Sequence, residues 1–187
     1  MRYFLSKAVP PFTRVLLVES GGRQLLEDLL DGLYDVHPQM TADLVTCYAG
    51  APLKFRPERG AIFRVTDYPD PAARQRFYAE LAANEYTVVG IVCSAEPIMT
   101  KWKWMLAARL PGKLFLLNEN GDYFWFDRGH WSQLRHFFLF RAGLSGAGAV
   151  RTITRLLVFP FTLLYLILFA ATVHALRYFR GRKLSTL

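Results

Sequence analysis

Apolar residues in the first 127 positions follow two alternating patterns, short unbroken runs and longer stretches with helical spacing. Arg14 to Ser20 (RVLLVES) has strand length and leads into Gly21-Gly22, after which Leu25, Leu26, Leu29, Leu30 and Leu33 recur as on a helix over 23–34. Residues 43–49 (DLVTCYA) and 61–65 read as further strands, and a proline-initiated helix over 71–84 carries Ala73, Phe77 and Leu81 on one side. Tyr86 to Ser94 (YTVVGIVCS) is apolar almost throughout, as suits a central strand covered on both faces. A helix over 98–110 follows and stops at Pro111-Gly112. Residues 113–127 form two apolar arms around Asn120-Gly121, a strong hairpin signal. Strands and helices in this alternation predict an α/β domain, a Rossmann-like three-layer sandwich with a mostly parallel sheet.

A different pattern begins at Leu156. The 21 residues to Leu176 contain no Asp, Glu, Lys or Arg, and a helix of that length covers about 30 Å, the hydrocarbon thickness of a bilayer. The sequence thus predicts residues 1–127 as the α/β domain, 128–152 as a basic and aromatic interfacial linker with a GLSGAG joint, 153–177 as a transmembrane helix and 178–187 as a basic tail. A buried core helix is the competing reading, set aside because such helices rarely exclude charge for so long. Pro160 and the basic residues on both flanks leave a re-entrant helix open beside the single span. His174 falls at the end of the segment, where an interfacial position is expected.

Charge sharpens the picture. Of the 23 basic residues, nine lie from Arg128 onward with no acid among them, leaving 14 against all 15 acids in residues 1–127. The excess of +8 therefore belongs to the membrane-proximal end, which points to anionic lipid headgroups rather than nucleic acid. Positive charge on both sides of the segment barely orients it. The N-terminus, interrupted by Lys7, Pro10 and Pro11, does not read as an export signal, so the expected location is the cell membrane, single-pass, with the N-terminal domain on the cytoplasmic side. Cys47 and Cys93 sit in apolar runs as small core residues, not as a disulfide or zinc framework. The four histidines are too scattered for a metal motif, and no cofactor or metal is expected.

Two loops carry candidate chemistry. Glu19-Ser20-Gly21-Gly22 joins the first strand to the first helix, where open α/β folds place ligands and where glycine N–H groups can hold phosphate. Glu19 is the carboxylate placed to act as a base, although a tight turn explains the same residues without a ligand. Ser94, Glu96 and Lys101 follow the central strand on the same edge of the sheet and are expected to converge on that crevice. Lys101 and Lys103 can neutralise phosphate and Trp102 or Trp104 can stack, but alternating Lys and Trp cannot all face one way, and packing of a tryptophan is expected.

The order VLLVES, glycine pair and helix, DLVTCYA, YTVVGIVCS, helix, KLFLLNENGDYFW over about residues 12–127 resembles the N-terminal half of GT-B glycosyltransferases, particularly the heptosyltransferase-like family. The resemblance implies an acceptor-facing first loop, with Glu19 the approximate counterpart of the family's acidic residue there. It supplies no donor-binding half, which implies a split enzyme, as in the two-subunit N-acetylglucosaminyltransferase of lipid-linked oligosaccharide assembly. The expected function is the membrane-anchored acceptor-side half of a split lipid-directed glycosyltransferase, inactive alone and partnered by a donor-binding half. The alternative is a non-catalytic accessory subunit that organises a complex of other membrane subunits.

Overall fold

The computed structural model describes residues 3–94, 96–146 and 149–184, the side chains of 175–184 excepted. Residues 185–187 of the predicted basic tail, the side chains of Arg177, Arg180, Arg182 and Lys183, and Ala147 and Gly148 of the predicted joint lie outside the described residues. The chain divides into two compact units, Met1–Leu134 and Arg135–Leu187.

The first unit is an α/β sandwich. Its strands are β1 (Arg14–Glu19), β2 (Thr41–Thr46), β3 (Ile62–Arg64), β4 (Val88–Cys93), β5 (Lys113–Asn118) and β6 (Tyr123–Trp125), and its helices α1 (Arg23–Val36), α2 (Pro71–Ala83) and α3 (Thr100–Arg109). They form one sheet in the order β3-β2-β1-β4-β5-β6, parallel except for β6, which pairs antiparallel with β5 through the Asn120-Gly121 turn. Gly121 has φ +81°, the left-handed geometry that this turn requires.

Strand alternation sorts the core between two faces. Val15, Leu17, Val88, Val92, Phe115 and Leu117 pack toward α1, together with Leu26 and Leu30. On the other side, Phe63 of β3 meets Phe77 of α2 at 5.5 Å, and Trp102 of α3 meets the same ring at 5.9 Å. Every residue of β4 is buried, as its uniformly apolar sequence predicts for a strand covered on both faces. Asp70 caps α2 by accepting from the Ala73 N–H, and Pro71 occupies its first turn.

Most elements differ from the predicted limits by one or two residues, and at β2 and α3 the structure shows the cause. β2 ends at Thr46 rather than Ala49, because the Thr46 hydroxyl accepts from the Tyr48 N–H and turns the chain toward Gly50. Cys47 is therefore only half-buried, and burial pushes its thiol up, away from reactive thiolate chemistry. Helix α3 begins at Thr100 rather than Ile98, since Met99 before it adopts φ +49°.

At the opposite, amino-terminal edge of the sheet, the Lys113 ammonium is enclosed. It donates to the carbonyls of Ser6 (2.8 Å) and Ala8 (2.9 Å) and pairs with Asp127 at 2.8 Å. Asp127 also accepts from the His130 N–H at 3.1 Å and faces that imidazole at 2.8 Å. Burial alone would raise the Asp127 pKa, but these hydrogen bonds outweigh it and bring the carboxyl down to about 2. The chain leaves the first unit beside this cluster through Trp131, which opens α4 (Trp131–Arg141), with Leu134 buried.

The second unit contains the remainder of α4 and α5 (Ala149–Leu184). Within α5, Ala149–His174 is 26 residues long and apolar enough to cross a membrane, none of its apolar window being buried in the protein. The hydroxyls of Thr154, Thr162 and Thr172 donate back to helix carbonyls, which satisfies these polar groups without water. This is one candidate membrane-spanning helix attached to an α/β domain.

Candidate functional site

The carboxyl ends of β1 and β4 define the site. These neighbouring strands connect in opposite directions, β1 through α1 to β2 and β4 through α3 to β5, and ligands of open α/β sheets bind where the order reverses in this way. Glu19 closes β1 opposite Thr46 of β2, and Ser94 follows the end of β4.

Glu19 has no exposed surface. One carboxylate oxygen accepts from Arg23 Nε at 2.8 Å, and the other accepts from the Thr46 hydroxyl at 2.5 Å and from Arg23 at 3.4 Å. The hydrogen bond to Glu19 outweighs burial and raises the Arg23 pKa. Arg23 also donates to the Ala49 carbonyl at 3.2 Å, and its guanidinium lies 5.2 Å from the centre of the Tyr48 ring. The Tyr48 hydroxyl in turn donates to the Gly21 carbonyl at 3.1 Å.

The loop after Glu19 is pulled onto β4. Ser20 is buried and its hydroxyl donates to the Val92 carbonyl at 2.6 Å. A Cβ on Gly21 would lie 2.6 Å from Val92 Cγ1 and 2.7 Å from Ser94 Oγ, so only glycine allows this approach. The glycine therefore serves closure of the loop. Gly22 precedes α1 without giving it a side-chain cap.

Glu19, Ser20, Gly21 and Ser94 are thus brought together, and Glu96 joins them through a Ser94 Oγ contact of 3.5 Å while remaining exposed. Lys101 stands exposed on the first turn of α3 and enters none of these contacts among the described residues. Lys103, two residues on, is buried, and Trp102 packs on Phe77 and Tyr78, so the Lys-Trp run does divide between faces. Among the described residues no group of His, Cys, Asp or Glu could hold a metal. Nothing local in the sequence marks Thr46 or Tyr48 as part of this cluster. Arg23, four positions after a carboxylate, does carry a local signal of pairing.

A concavity lies elsewhere in the first unit. A groove of about 500 Å³ runs between α1 and the β5–β6 hairpin, walled by Leu25, Leu29 and Leu33 and floored by Phe115, Leu117, Tyr123 and Trp125. Phe12 and His37 stack at 4.3 Å at one end of it. Its size is that of a ligand or docking pocket, and its lining is mostly apolar.

No known protein family matches this sequence, and neither a curated protein nor a solved structure resembles the chain. What stands is a generic α/β fold with a mixed, mostly parallel sheet, consistent with a Rossmann-like superfamily.

Proposed function

We propose that this chain is a membrane-anchored accessory subunit, an α/β domain that organises a membrane protein complex without itself supplying chemistry. The carrying observation is the state of Glu19, a fully buried carboxylate whose two oxygens are held by Arg23 and Thr46. A general base must reach the proton it abstracts. Glu19 instead acts as a strut that fixes the first turn of α1 to the ends of β1 and β2. The Ser20 hydroxyl bound to the Val92 carbonyl, and the close approach of Gly21 to Val92 and Ser94, likewise fix this loop against the end of β4. Insertion of α5 holds the domain at the membrane, with anionic headgroups facing the arginines of the flanking segments.

The second reading, the acceptor-side half of a split lipid-directed glycosyltransferase, is favoured by the exposed Glu96 beside Ser94 on the strand-end loop. In that reading Glu96 is the accessible carboxylate and Lys101 the cation for phosphate. Glu19 becomes the base only after Arg23 swings off it.

The two readings separate in the native complex, purified in mild detergent and assayed for glycosyl transfer to a lipid acceptor. Glu19→Gln and Glu96→Gln are each expected to leave partners and any transfer activity within about twofold of the parent. Loss of activity by about 10²–10⁴-fold in either variant, the usual contribution of a general base, would return the chain to the catalytic class. The proposed cytoplasmic side of the domain has its own measurement. Protease added to sealed inside-out vesicles is expected to digest the first unit, and digestion from intact spheroplasts instead would reverse the topology.

A further inference from the structure

We infer that the groove between α1 and the β5–β6 hairpin is the docking site for an amphipathic helix of a partner protein, one whose apolar stripe is flanked by basic residues. The inference rests on the accessory-subunit reading and names the surface and the partner chemistry that this reading needs.

Helix α1 carries two apolar rows where one would suffice. Leu26, Leu30 and Tyr34, at i, i+4 and i+8, are buried in the core against β1 and β2. Leu25, Leu29 and Leu33, one position earlier, form a second row that is only partly buried and lines the groove. No residue of α2 or α3 lines it. Packed helices lie about 8–10 Å apart, so a second helix beside α1 would cover this row and the half-covered hairpin together.

Gly32 supplies an independent indication. It lies inside the C-terminal half of α1 and on the groove, where a Cβ would meet nothing within 4 Å. Nothing among the described residues excludes alanine there, and glycine is among the poorest residues for a helix. A position without a side chain lets another backbone approach closely. Val36 (71% exposed) and Tyr123 (66% exposed) flank the groove as large apolar surface open to contact.

Charge selects the occupant. Asp28 lines the groove, and the hairpin turn whose Gly121 also lines it carries Glu119 and Asp122. Such a rim repels an anionic lipid headgroup, and a second copy laid α1 against α1 would oppose acid to acid. Basic side chains flanking an apolar stripe complement it.

The test uses the full chain in neutral phosphatidylcholine nanodiscs and two synthetic helical peptides that share a leucine stripe, one flanked by lysines and one by glutamates. Binding is read from tryptophan fluorescence, with Trp125→Phe identifying the groove as the source of the signal. The lysine peptide is expected to bind at least about tenfold more tightly than the glutamate peptide. Gly32→Leu is expected to weaken it about tenfold or more without lowering the thermal midpoint, and Gly32→Ala to weaken it less. Equal binding of the two peptides, undiminished binding by Gly32→Leu, or a concentration-dependent dimer abolished by Gly32→Leu would overturn the proposal. If the native complex stays intact in Gly32→Leu, the groove is excluded while the accessory reading stands; if the parent chain purifies without partners, that reading itself falls.

Discussion

Asp127→Ala is expected to destabilise the first unit by about 3–5 kcal/mol, the cost of leaving one member of a buried ion pair alone. Lys113 and Asp127 are both enclosed, and the substitution strands the Lys113 ammonium against two carbonyls with no counter-charge. The same substitution frees the His130 N–H and the exit of the hairpin, so the N-terminal segment, the start of β5 and the turn into α4 loosen together. Denaturant unfolding of the full chain in detergent, followed by far-ultraviolet circular dichroism, measures the loss, which corresponds to a thermal shift on the order of 10 °C for a unit of this size. The paired replacement Lys113→Met with Asp127→Leu removes both charges and is expected to recover most of the loss. If the single and double variants are equally destabilised, packing and not charge holds this corner.

The same pair gives an acid limb with a defined sign. The Asp127 carboxyl lies at about 2 in the folded chain, below its ordinary value of 3.8. A depressed carboxyl stabilises the fold fully above its unfolded pKa and loses that contribution as pH falls through the folded one. The loss, about 2 kcal/mol in all, is expected between about pH 4 and pH 2 in the parent and is absent from Asp127→Asn.

Removal of residues 149–187 is expected to move the protein wholly from the membrane to the soluble fraction. Between Leu156 and Phe169 twelve large apolar side chains are at least 45% exposed. At about 1.5–3 kcal/mol for each side chain fully withdrawn from water, their burial in lipid is worth on the order of 20 kcal/mol, far more than a peripheral contact supplies. No other helix among the described residues meets the length and composition of a span. Carbonate extraction of membranes carrying the parent and the truncated chain makes the comparison. A truncated chain that resists extraction would place the attachment in Phe138, Leu139 and Phe140 of α4, which are also exposed, or in a bound partner.

Features set by neighbours in sequence are legible in the order of residues alone. The uniform apolarity of β4, the helical spacing of α1, the proline start of α2, the Asn120-Gly121 turn and the uncharged segment of α5 each express a backbone preference or a length that a few consecutive residues fix. From these the class of fold, the strand and helix order and the candidate span follow directly. Tertiary structure decided the rest, because burial and pairing depend on residues remote in the chain. That Glu19 is enclosed and paired is not visible in the sequence; it follows from the β1–β2 register, which sets Thr46 opposite it, and from Arg23 folding back onto it. Lys113, at a strand start, would be assigned to solvent, yet residues 6 and 8, more than 100 positions away, cross over it. The five leucines of α1 announce an apolar helix, but only the strand order divides them into a row that meets the sheet and a row that faces a groove. Local preference selects conformations residue by residue; which surfaces remain open is fixed only when the whole sheet has assembled.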